Sequence, residues 1–157
     1  VTEAKLVSGL KVLYVGGSAS NSDYLRDLMF HGFRDLLGNN LYEINTPRYM
    51  YEWPSSEASN AAIQNPNTHW GMGFTIARRL KYNPYQHLRN STSATTLISA
   101  KYFDVIVYGN SHRGMPLWST VLKAGYTKEQ IIIFNGEDWR GWKLVEKQQS
   151  DHQLLDK

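Results

Sequence analysis

The sequence contains no cysteine, which excludes disulfides, thiolate metal sites and cysteine nucleophiles. That absence fits a cytoplasmic protein. No apolar run approaches the roughly 18 to 20 residues that a membrane-crossing helix needs. The opening stretch VTEAKLVSGLKVLYVGG has neither a basic leader nor a cleavage site, so it reads as a first strand and nothing marks the chain for export. Charge of one sign is scarce as well. The formal net charge is only +3, and Lys and Arg are scattered apart from Arg78-Arg79-Lys81, which is weak support for a nucleic-acid footprint. No G-x-S-x-G nucleophile elbow is present. His31, His69, His87 and His152 form no His–His i, i+4 pair, so they read as surface or packing residues and no metal site is expected.

What is present is the composition of a globular domain. The 157 residues are 41% apolar, enough to bury a core within a single domain spanning residues 1–157. Aromatic residues reach 13%, with ten Tyr and five Trp. Such side chains either pack on the core or present a polar tip to sugars and protein partners.

Three short segments are rich in β-branched residues and nearly continuous in apolar character: residues 11–15 (KVLYV), 104–108 (DVIVY) and 130–134 (QIIIF). Strands covered on both faces by helices read this way. Residues 41–46 (LYEINT) alternate instead and suit a strand near a sheet edge. Residues 23–37 (DYLRDLMFHGFRDLL) place Leu25, Leu28, Met29, Phe33, Leu36 and Leu37 at helical spacing. Ser20, Asn21 and Ser22 offer N-caps, with Gly38-Asn39 as the stop. Residues 116–124 (PLWSTVLKA) read as a second helix, with Pro near its first turn and Gly125 at its exit.

Between the second and third strands, residues 46–99 form an irregular insertion broken by Pro47, Pro54, Pro66 and Pro84. A structureless loop of that length is improbable in a compact domain. Short helices are expected around 56–64 and 92–100, with a turn and short element at 71–81. The polar end, residues 143–157, tolerates helix and stops without a clear fold boundary, as the front part of a longer protein would. Alternating strands and helices argue for an α/β domain with a small, mainly parallel sheet.

In such a sheet, ligands bind beyond the carboxyl ends of the strands, where strand order reverses. That rule selects three loops. In the first, residues 16–22 (GGSASNS), Gly17, Ser18 and Ser20 can line a phosphate or carboxylate at a helix N-terminus, or simply form a tight capped turn. A dinucleotide fingerprint is incomplete there, and no Walker lysine follows. The second loop, residues 109–114 (GNSHRG), offers Asn110, a bidentate Arg113 and a proton-exchanging His112. In the third, residues 135–142 (NGEDWRGW), Glu137 and Asp138 can meet a hard cation or a sugar hydroxyl, act as acid and base, or cap a turn.

YVGG near the start, then FDVIVYG, Arg113 and IIIFNGED, together resemble the N-terminal Rossmann-like region of bacterial glycosyltransferase-like proteins of the GT-B type. The likeness covers about a third of the chain, and its motifs belong to the fold rather than to catalysis. It implies a three-layer Rossmann-like or flavodoxin-like domain whose lobe faces the acceptor, with a nucleotide-sugar or glycan ligand. The second lobe, which mainly holds the nucleotide sugar, is missing, so a complete enzyme is not expected and catalytic residues stay unassigned.

Two alternatives stand beside that reading, and the cofactor is open between them. One is a regulatory module or FMN binder of flavodoxin type, with Trp139 and Trp142 to stack on a flavin. Gly16-Gly17 and Gly109 stand where a phospho-accepting receiver needs acids. The other is an interaction domain whose exposed Tyr and Trp in residues 46–85 form an interface, including that of a homodimer.

Overall fold

A computed structural model of the chain describes residues 9–17, 23–46, 48–52, 54, 79–81 and 91–136. Strand β1 (Val12–Val15) leads to helix α1 (Tyr24–Leu37) and strand β2 (Leu41–Ile44). Two-residue strands β3 (Tyr51–Glu52) and β4 (Leu80–Lys81) pair in parallel apart from the main sheet. Helix α2 (Ser91–Ser99), β5 (Val105–Tyr108), helix α3 (Trp118–Lys123) and β6 (Ile131–Ile133) complete the order. The helix expected at 56–64, most of the element at 71–81 and the segment 143–157 lie outside the described residues.

The main sheet has four parallel strands in the order β2-β1-β5-β6. This is the expected α/β architecture of Rossmann- and flavodoxin-like type, and the weakly patterned strand β2 lies at one edge. From β1 the chain moves to β2 on one side and later returns to β5 on the other. Strand order therefore reverses at β1, and the crevice between the carboxyl ends of β1 and β5 is the switch point.

Period-two alternation sorts the strands between two cores. Leu13, Val15, Ile106 and Tyr108 face the layer that holds Ile98 of α2 and Val121 of α3. Val12, Tyr14 and Val107 face the opposite layer, with Phe30 and Leu37 of α1. Three layers result. Among the described residues no helix is long and apolar enough to cross a membrane.

Helix α1 departs from the expected stripe. Leu28 and Leu36 are 46% and 67% exposed, whereas Arg26 and Asp27 are each only 1% exposed. The helix is rotated so that Arg26, Asp27, Phe30, His31 and Leu37 face inward. Aromatic packing decides this, with Phe30 tilted against Tyr14 at 5.2 Å between ring centroids. The Arg26 and Asp27 side chains drawn in are hydrogen-bonded. Arg26 Nε donates to Asp27 at 3.0 Å, Arg26 Nη2 donates to the Tyr49 hydroxyl at 2.9 Å, and that hydroxyl donates to Asp27 at 2.8 Å. The Tyr14 hydroxyl donates to the Arg26 carbonyl at 2.6 Å. Farther along the helix, Arg34 reaches Glu43 of β2 at 2.9 Å, and Tyr51 donates to the same carboxylate.

Aromatic residues therefore fill the core. Tyr14, Tyr49, Tyr51, Tyr108 and Tyr126 are all buried, which removes Tyr49 and Tyr51 from any aromatic interface in the insertion. Other boundaries shift little. Helix α2 occupies the expected 92–100 region. Helix α3 begins at Trp118 rather than Pro116, because Leu117 takes a left-handed conformation at φ 63° and interrupts the turn. The Pro116 carbonyl instead accepts from the Tyr108 hydroxyl at 3.3 Å.

Candidate functional site

The described parts of all three loops meet on the carboxyl edge of the sheet. After β1, Gly16 sits against the backbone of Asn45, where an added Cβ would fall 2.6 Å from the Asn45 carbonyl oxygen. Gly17 has φ +69° and lies against the second loop, where an added Cβ would stand 2.8 Å from both Cβ and the carbonyl oxygen of Arg113. Glycine is required here by conformation and by contact. Gly17→Ala is expected to lower stability by about 1–3 kcal/mol, since an L side chain meets both a strained φ and fixed backbone. Chemical denaturation of the variant measures it, and an unchanged midpoint would mean that the two loops do not touch.

After β5, the chain makes a tight 3-10 turn, Ser111–Arg113, with Asn110 as its cap. The Asn110 carbonyl side-chain oxygen accepts from the His112 backbone at 3.0 Å. Gly114 closes the turn at φ +92°. A backbone bond from Ser111 to the Phe134 carbonyl, at 2.8 Å, ties this loop to the one after β6. There the His112 Nε2 atom pairs with the Asn135 side-chain oxygen, and Gly136 packs against Leu25 and Asn110.

Asp23 joins the two halves of the crevice. It is the N-cap of α1, accepting from the Arg26 backbone at 3.0 Å. Its other carboxylate oxygen accepts from Asn110 Nδ2 at 2.7 Å and from Arg113 Nε at 3.0 Å. Burial alone would push this carboxyl up. The bonds from the Arg26 backbone, Arg113 and Asn110, with the nearby Arg26 charge, hold it below the ordinary carboxylate range instead. A depressed folded value contributes stability that is present above the ordinary range near pH 4 and lost as pH falls through the folded value. The brace is therefore intact at neutral pH.

Arg113 is fixed through Nε alone, and its side chain stays 34% exposed. Among the described residues its terminal guanidinium nitrogens have no hydrogen-bond partner. A guanidinium held at one nitrogen presents its remaining N–H groups as an ordered donor edge, suited to phosphate or carboxylate oxygens. The arrangement favours holding an anion over reacting with it.

Of the residues selected from sequence, Gly17, Asn110, His112 and Arg113 come together here. Ser18, Ser20, Glu137 and Asp138 lie outside the described residues, as do Trp139 and Trp142. Asp23 and Asn135 were missed as site residues. For Asp23 a signal existed, because it is the last polar residue before the helical pattern and an excellent N-cap; the Ser and Asn just before it drew the assignment away. Asn135 had no comparable signal. Among the described residues no group of three or more His, Asp or Glu is placed to hold a metal ion.

Comparison of the chain with protein-family models, curated proteins and solved structures finds no match. What stands is a small α/β domain with a parallel sheet and a hydrogen-bonded polar cluster at its switch point.

Proposed function

We propose that this domain binds a phosphate-bearing sugar ligand of the nucleotide-sugar class at the switch-point crevice, as the ligand-holding part of a glycosyltransferase-like protein and not as a complete enzyme. One observation carries the reading. Arg113 is anchored to Asp23 by a single nitrogen at 3.0 Å, which leaves an ordered row of donors where ligands of parallel α/β sheets bind. Asp23 already caps α1, so the helix N-terminus is occupied by the protein's own carboxylate and the anion falls to Arg113. The resemblance of YVGG, FDVIVYG and IIIFNGED to glycosyltransferase-like domains supplies the sugar.

Thermal unfolding against UDP-glucose, GDP-mannose, UDP and FMN tests it. Ligand at about 100 times its dissociation constant adds roughly 2.7 kcal/mol, or about 5–10 °C for a chain of this size. Arg113→Ala is expected to abolish the shift, and Arg113→Lys to retain only part of it, because lysine keeps the charge without the planar fork. No response to any sugar nucleotide would sink the proposal. A response to FMN alone would transfer the crevice to a flavin.

A further inference from the structure

Two hydroxyls at the carboxyl edge of the sheet are buried without a hydrogen-bond partner among the described residues: Thr46 Oγ1, beyond β2, and Ser111 Oγ, beyond β5. A buried hydroxyl left unpaired is costly, and native proteins rarely keep one without a purpose or an additional partner. Their positions are related. Val15 of β1 is in register with Ile44 of β2 on one side and Tyr108 of β5 on the other. Thr46 lies two residues past that level and Ser111 three, on opposite sides of Gly16-Gly17. The glycines bring the backbones close on both flanks, to Asn45 on the β2 side and to Arg113 on the β5 side.

We infer that Thr46 and Ser111 are ligand-contacting residues of one extended site, which crosses the glycine step of β1 from the β5 loop to the end of β2. This rests on the proposed binding role of the Arg113 crevice and specifies the size and chemistry of what it takes. Neighbouring strands are about 4.8 Å apart, so the ends of β2 and β5 are separated by roughly 10 Å. A phosphate or a single sugar ring is too short to reach both. A ligand of nucleotide-sugar length spans them, with its anionic group at Arg113 and Ser111 and a hydroxyl-bearing ring at Thr46. Hydroxyls suit both ends, because each can donate to a phosphate oxygen or exchange bonds with a sugar hydroxyl.

A hydroxyl kept for a ligand contributes nothing to the free protein, so Thr46→Val and Ser111→Ala should melt at or above the wild-type temperature. Each should nevertheless weaken UDP-glucose binding roughly tenfold, the size of one lost hydrogen bond. Inorganic phosphate separates the two ends, since Ser111→Ala should weaken its binding while Thr46→Val leaves it unchanged. Calorimetric titration of wild type and both variants with UDP-glucose and with phosphate, alongside their melting curves, gives all the readouts. Lower melting of either free variant would assign that hydroxyl to the fold and overturn the inference. So would wild-type affinity for UDP-glucose in either variant, or a wild-type response to phosphate but not to UDP-glucose. If the variants bind UDP-glucose normally while Arg113→Ala does not, the crevice reading survives and only its extension falls. If wild type binds neither probe, both fall.

Discussion

Removing one partner of the buried Arg26–Asp27 pair is expected to cost about 3–5 kcal/mol, because the other charge is left in the core without its counterion. The pair is held at 3.0 Å with both side chains almost wholly excluded from water. Tyr49 closes the triangle through bonds to both partners. For a chain of this size that loss lowers the melting temperature by about 6–20 °C. Asp27→Ala and Arg26→Ala should both show it. The joint replacement Arg26→Met with Asp27→Leu should recover a large part, since no charge is then stranded. Melting curves of the two single variants and the double variant decide the matter. If the singles melt within a degree or two of wild type, the pair is not buried as described. Tyr49→Phe provides a milder control, about 1–3 kcal/mol, by leaving the Asp27 carboxylate short of a donor.

A sharp alkaline collapse is the second large effect. Tyr14, Tyr49, Tyr51 and Tyr108 are all buried, and desolvation pushes each phenol well above its ordinary value near 10. The nearby Glu43 carboxylate pushes Tyr51 further, and Asp27 does the same to Tyr49. The folded values are raised, so the stabilisation is full below the unfolded value and is lost as pH rises above it. Beyond about pH 10 the unfolded chain releases protons that the folded chain retains. Each tyrosine then removes about 1.4 kcal/mol of stability per pH unit. Four acting together would unfold the domain within about one to three units above about pH 10, given the usual 5–15 kcal/mol available. Circular dichroism and tyrosinate absorbance, followed together from pH 8 to 12, should change in one cooperative step. Gradual phenol titration with the helical signal unchanged would show that these rings reach solvent in the folded state. Tyr108→Phe should shift the step upward, since its hydroxyl makes only a long bond of 3.3 Å.

The buried pair and the buried phenols lie in the part of the molecule least visible in the linear sequence. The apolar spacing of α1 pointed to Leu28 and Leu36, and both are among its exposed residues. Periodicity scores a side chain by its own hydrophobicity and has no means of knowing that Tyr49, outside the helix and 22 residues from Asp27, will satisfy a buried carboxylate. A polar residue is admitted to a core by its partner, and the partner is a tertiary fact.

The same division runs through the candidate site. The positions of β1, β5 and β6 followed from composition alone, because buried parallel strands must be short, branched and apolar on both faces, whereas the two-residue strands β3 and β4 left no such mark. Alternation of strand and helix then implied a parallel sheet, and the sheet directed attention to the loops at its carboxyl edge. All of that is local chemistry and connectivity, which the sequence carries by itself. The strand order that makes β1 the switch point, the meeting of Asp23 with Arg113 across 90 residues and the unpaired hydroxyls of Thr46 and Ser111 belong to tertiary structure alone. They depend on which strand lies beside which, and on where each loop's hydrogen bonds are spent once the backbone is fixed.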